Sequence, residues 1–364
     1  MAEIFSPERL TLARKRRGLF LQELAARIGV TAKSVGTWES GKATPNNDRI
    51  DSLARVLEFP REFFFGDAPP MLGTAAFRSL ARMTARQRDM ALAAGAQAVA
   101  FDSWIEREYS RPEPNVPDLR DSSPESAAEG VRAVWGLGYK RIPNLVHLLE
   151  ASGVRVYSLV HDGSEIDAFS LWQGMTPFIF LNTTKTTERS RMDASHELGH
   201  LVLHAHTGGG TTKQHETEAQ AFAAAFLMPR APFIATSPRR VTLPAVIEAK
   251  AQWGVSALAY VHRLHRVGRL TDWQYQSLCI QIKSTFGNTE PGPERPRETS
   301  QVLAKVLSSP GRARTSNRRE IAKHLRIYMR DLDEMTFGLA LTPVAGGRSA
   351  PAAPTTGSSL QLIE

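Results

Sequence analysis

The chain has 364 residues, enough for two or three domains, with 42% hydrophobic and 23% charged residues, so it can bury a sizeable core. A single cysteine, Cys279, excludes an internal disulfide framework and a thiolate-rich metal site, and points to a reducing cytoplasm. The opening MAEIFSPERL has no signal-type apolar stretch, and no run approaches the roughly 20 apolar residues of a membrane span.

The formal charge of +8 is uneven. Residues 1–61 hold 11 basic against 7 acidic side chains, residues 283–330 hold 11 against 4, and the remainder is slightly acidic. A basic excess at the ends favours an acidic partner such as nucleic acid.

Helical periodicity marks Pro7–Arg17, Leu21–Ile28 and Thr31–Glu39, with Gly29 and Gly41 as stops, followed by Asp48–Leu57 and Pro60–Phe65. Leu21, Leu24, Ala25 and Ile28 are expected to form the buried stripe of one helix, and Val30, Val35 and Trp38 to anchor the next. That pairing has the spacing of a helix-turn-helix. It leaves Thr31, Lys33, Ser34 and Thr37 facing outward, with Gln22 ahead and Lys42 behind, as candidate contacts to phosphates and base edges of double-stranded DNA. Gly36, inside the second helix, costs roughly 1 kcal/mol relative to Ala.

The elements LARKRRG, QELAARIGV, SVGTWESGKATP and LARVLEFP resemble the phage-repressor, or XRE, type of helix-turn-helix domain. The resemblance implies a five-helix DNA-binding domain over residues 1–66 that works as a homodimer on a pseudo-palindromic operator. Residues 67–126 read as a helical linker region containing an Ala-rich helix and the proline-rich run RPEPNVPDLRDSSPES.

From Ala127 the pattern changes to a helix, Asn144–Ser152, then strand-like Val154–Val160, Ala168–Trp172 and Phe178–Leu181, then helices around Arg189–His204, Glu216–Leu227 and Val255–Val267. His196-Glu197-Leu198-Gly199-His200 places two histidines at i and i+4 on one helical face, where they can share one Zn²⁺. Glu197 stands where a general base would reach a water. For a third ligand, His206 occupies the final position of HExxHxxGxxH, but Leu203 replaces the glycine that would break the helix. Glu216 extends the apolar stripe Ala219, Phe222, Ala223 and Phe226 of the following helix, Glu218 points off it, and Gln220 can bond a ligand from behind. His204 can support His200, and His215 has no spacing argument. Tyr260, His262 and His265 are candidates for an oxyanion donor, and Arg189 and Arg191 for steadying the helix start or the substrate.

The stretches ERSRMDASHELGHLVLH and ETEAQAFAAAFLMP, with IPNLVHLLEASGVRVYSL, IDAFSLW and PFIFLN before them, resemble the ImmA/IrrE family of metallopeptidases. That resemblance implies a zincin-like domain of gluzincin type, with a small β-sheet, over residues 127–284. It implies zinc ligands His196, His200 and Glu216, base Glu197, and cleavage of a repressor or antitoxin-like protein. Met192 and Gln220 stand where the family often has Phe and Asn. The whole chain is expected to be mainly α, of α+β class. The alternative function is a transcription factor whose zincin domain is a sensor or structural module without proteolysis, as part of a toxin–antitoxin pair. Residues 285–344 read as a flexible tether and a small helical unit that docks on the zincin domain, and 345–364 as a disordered tail.

Overall fold

The computed structural model describes residues 4–70, 72, 83–159, 168–205, 212–309, 317–340 and 361–362. The described residues form sixteen α-helices, one 3-10 turn and five short strands, the mainly helical α+β class expected. None of these helices is long and apolar enough to cross a membrane. The chain divides into two units: Met1–Pro112 with Tyr157–Ile166 and Ser300–Glu364, and Glu113–Val156 with Asp167–Thr299.

In the first unit, α1 (Pro7–Arg16) starts at Ser6, whose hydroxyl accepts from Arg9 N, with Pro7 in the first turn where its missing N–H costs nothing. Then come α2 (Leu21–Ile28), α3 (Ala32–Glu39) and α4 (Asn47–Leu57). The expected fifth helix of this domain is a single 3-10 turn, Arg61–Phe64. Next comes α5 (Ala85–Glu108), capped by reciprocal Thr84 and Gln87 bonds. Far from being a linker, α5 buries much of its surface and packs on α1. Its Asp102 accepts two bonds from Arg111, each 2.7 Å, and one from the Tyr157 hydroxyl at 2.6 Å, which neutralises a buried carboxylate.

After α5, β1 (Tyr109–Ser110) pairs antiparallel with β5 (Gln361–Leu362), so part of the expected disordered tail is a strand.

The second unit holds α6 (Pro124–Val134), α7 (Leu145–Ala151), the strands β3 (Ala168–Gln173) and β4 (Thr176–Leu181), α8 (Thr187–Leu203) and α9 (Lys213–Leu227). After these come α10 (Arg230–Thr236), α11 (Leu243–Trp253), α12 (Ala257–Arg266) and α13 (Asp272–Phe286). With β2 (Arg155–Ser158), the sheet order is β2-β4-β3. β3 and β4 form an antiparallel hairpin with Ser170 opposite Ile179. The last carbonyls of α9, which no helical N–H can reach, are satisfied by buried arginines: Arg132 donates to Phe226 O at 2.6 Å and Arg263 to Met228 O at 3.0 Å. Burial depresses the Arg132 guanidinium to about 10.

Two expectations for the C-terminal third need correction. The segment 285–299, expected as a tether, packs into the second unit: Glu290 pairs with Lys250 at 2.7 Å, and Glu298 accepts from Leu145 N at 2.9 Å and pairs with Arg191. The helices α14 (Gln301–Ser308), α15 (Asn317–Leu325) and α16 (Met329–Thr336) belong to the first unit, not to the zincin-like one. The reason is charge pairing with α1 and its cap. Arg16 pairs with Glu334, Arg17 with Asp331 at 2.8 Å, and Arg326 donates to Phe65 O at 3.0 Å. Three of the basic residues behind the positive excess of residues 1–61, Arg14, Arg16 and Arg17, are therefore held internally, the first by Glu39.

Candidate metal centre and nucleic-acid interface

Helix α8 begins at Thr186, whose hydroxyl accepts from Arg189 N. Its buried side includes Ala194, Leu198, Leu201 and Val202, which pins the helix and turns His196 and His200 together. Their Nε2 atoms lie 3.1 Å apart. Glu216, in the first turn of α9, brings its carboxylate oxygens to 3.5 Å from His200 Nε2 and 3.7 Å from His196 Nε2. One ligand atom from each of the three lies within 4.8 Å of the others. Glu218 is turned to His204 instead, at 2.9 Å. His206 lies outside the described residues.

Gly199 makes this approach possible. A Cβ there would sit 3.0 Å from Phe222 Cδ1 and 3.2 Å from Ala219 Cα, so the bare backbone lets α9 lie close against α8. Glu216 reaches the histidines because of that close contact.

The ring states suit a cation. Burial, then the neighbouring His200, depresses His196 to about 4, which keeps the imidazole neutral and its lone pair available. His200 Nδ1 lies 3.1 Å from His204 Nδ1, and His204 Nε2 lies 2.9 Å from Glu218 Oε2. A tautomer with the proton on His200 Nδ1 and on His204 Nε2 satisfies both bonds and leaves the His200 Nε2 lone pair facing His196. Gln214 donates to the other Glu218 oxygen at 2.8 Å, and His215 stacks on His204 at 4.4 Å. Hydrogen bonds from His204 and Gln214 hold the Glu218 carboxyl below its usual range.

Two imidazole nitrogens and a carboxylate match the donor set of a catalytic zinc site, and a tetrahedral ion about 2.0–2.1 Å from each nitrogen would space them by about 3.3 Å. The observed 3.1 Å separation fits that requirement. The Gln220 side chain also interacts with His196.

Glu197 is buried, and burial raises its carboxyl above the ordinary range. Ser170, on β3, donates to Glu197 Oε2 at 2.7 Å and approaches its backbone oxygen at 3.2 Å. No spacing in the sequence marks this serine; the available signal is a hydroxyl buried between Phe169 and Leu171, which must find a partner.

The remaining candidates lie elsewhere. Tyr260 is buried against Phe233 at 5.0 Å, His262 meets the Tyr275 ring, and His265 bonds Asp272 at 2.7 Å. Arg191 is buried and donates to Ile142 O at 3.0 Å, steadying α8, while Arg189 is exposed.

At the other site, Gly29 closes α2 in the left-handed region, φ 67°, and Thr31 caps α3 by accepting from Ser34 N at 3.1 Å. Val35 is fully buried, and Arg14 clamps Glu39 with bonds of 2.6 and 2.8 Å, fixing α3 to α1. Gln22, Thr31, Lys33 and Lys42 are exposed, and Ser34 and Thr37 half-buried. Thr37 donates to Lys33 O at 2.7 Å, so its hydroxyl is partly spent within the helix. A Cβ on Gly36 would meet nothing within 4 Å.

A search of the curated proteins finds no match. Residues 10–64 match the family model described as Helix-turn-helix, and residues 149–265 match the peptidase family model described as IrrE N-terminal-like domain. The chain therefore joins an XRE-type helix-turn-helix domain to a peptidase-family domain of the IrrE/ImmA kind.

Proposed function

We propose that this protein is a cytoplasmic DNA-binding regulator whose second unit is a zinc-dependent endopeptidase cutting a repressor or antitoxin-like protein. The carrying observation is the convergence of His196, His200 and Glu216 beside a buried Glu197. A zinc ion held by His196, His200 and Glu216 would supply Lewis acidity toward a carbonyl and a water. Glu197 takes the proton from the attacking water and returns it to the leaving amine. Ser170 occupies Oε2 and so aims the carboxylate, while Oε1 accepts no protein bond among the described residues. His204 and Glu218 hold the His200 ring in one tautomer. Gln22, Thr31, Lys33, Ser34, Thr37 and Lys42 contact an operator, which a homodimer reads as two half-sites.

Glu197→Gln tests the reading. Zinc content stays at the wild-type level, while cleavage of a repressor or antitoxin-like substrate falls by about 10³-fold or more, since both acid and base roles go. Cleavage at the wild-type rate would overturn the peptidase reading and favour a sensor module.

A further inference from the structure

The first unit contains a half-open cavity of about 250 Å³ that the proposed chemistry does not use. Its wall is one stripe of α5: Ala96, Ala100, Ser103 and Arg107 follow the spacing that repeats on one helical face. The small side chains leave the space, and Leu12 of α1 and Phe63 line it with apolar surface. Gln97, 5% exposed, also lines it. Arg16 Nε donates to Gln97 at 2.9 Å, and because a guanidinium only donates, the accepting atom must be Oε1. The Gln97 Nε2 is then a buried donor without a partner among the described residues.

The mouth is different. Arg107 is exposed and donates to His324 Nε2 at 2.9 Å, but pairs with no carboxylate among the described residues. Residues 97 and 107 are ten apart on one helix, about 15 Å along its axis. Their side chains thus offer a neutral donor at the floor and a cation at the rim, with the apolar Leu12, Ala100 and Phe63 between; Ser103, Asp67 and Arg9 also line the cavity, Arg9 donating to Asp67 O at 2.7 Å and to Phe63 O at 3.3 Å.

We propose that this cavity binds a small organic carboxylate with an apolar body and an acceptor oxygen at its far end. The carboxylate meets Arg107, the body lies on Ala100 and Phe63, and the acceptor takes the Gln97 amide. The volume lies below the 300–1,000 Å³ of drug-sized sites, which sets the ligand at one ring or a short chain. Nothing in this reading depends on zinc or on proteolysis.

Calorimetric titration of the full-length protein tests it with three probes of one shape. 4-Acetylbenzoate has both groups, 4-isopropylbenzoate lacks the acceptor, and 4-acetylbenzamide lacks the charge. Saturable binding of 4-acetylbenzoate at one site per chain is expected, weakened about tenfold or more in 4-acetylbenzamide, which loses the charged bond, and about three- to tenfold in 4-isopropylbenzoate, which loses a neutral one. Arg107→Gln should weaken 4-acetylbenzoate similarly and leave 4-acetylbenzamide unchanged. Ala100→Phe, at a half-exposed position, should abolish binding while the protein keeps a cooperative melt. A cavity that holds only water gives no saturable heat with any probe, which overturns the proposal. Equal affinity of wild type and both variants overturns it as well.

Discussion

The Ser170 hydroxyl donates to Glu197 Oε2 at 2.7 Å, tying the strand β3 to the carboxylate at the centre of the HELGH helix. Ser170→Ala removes the bond that aims Glu197 but neither a proposed metal donor nor the proposed base. The expected result is a fall in kcat of about tenfold, with KM and zinc content unchanged, because about 1.4 kcal/mol of positioning is lost only where the proton moves. Steady-state kinetics with parallel metal analysis measure both. A variant that loses zinc would show that Ser170 supports the metal rather than the base.

His204 makes a different prediction. It bridges His200 to Glu218 through bonds of 3.1 and 2.9 Å. His204→Phe keeps the ring volume and removes the bridge, and zinc affinity measured by chelator competition should drop about 10–100-fold. Glu218→Gln should move affinity in the same direction by less, since an amide oxygen can still accept from His204.

Gly199 sets the distance between two helices. In Gly199→Ala, better helix propensity contributes up to about 1 kcal/mol. Overpacking against Phe222 and Ala219 costs about 1–3 kcal/mol, so a net loss of stability is expected. Zinc affinity should fall too, because Glu216 rides on the displaced helix. Urea unfolding of the metal-free protein and chelator competition separate the two effects.

Gly36 is the converse case, since its Cβ position opens on empty space. Gly36→Ala should stabilise the helix-turn-helix by about 1 kcal/mol. Thermal unfolding checks this, and operator affinity in the same variant shows whether the bare backbone is required at the groove. An unchanged affinity would assign Gly36 no role in DNA contact.

The sequence made some of this legible because the signals are local. A spacing of four puts His196 and His200 on one helix face, and the apolar stripe of α9 carries Glu216 toward it. Gly29 and Thr31 mark the turn between α2 and α3 through backbone needs that short motifs express. What stayed hidden depends on residues far apart in the chain. Ser170 lies 27 residues before Glu197, and a serine in a strand carries no signature of its partner. The C-terminal helices show apolar anchors such as Leu332 and Met335, but anchors do not say which unit they dock on. The pairs Arg16–Glu334 and Arg17–Asp331 decide that, and they also turn part of an apparent DNA-binding charge into internal ion pairs.

The most direct measurement is the metal content of the purified protein by mass spectrometry, made on wild type, His200→Ala and Glu216→Ala. If His196, His200 and Glu216 form one centre, wild type carries one zinc per chain and both variants carry close to none, with their helical content unchanged. Wild-type protein without zinc after purification in zinc-containing buffer, or variants that retain it in full, would contradict the account.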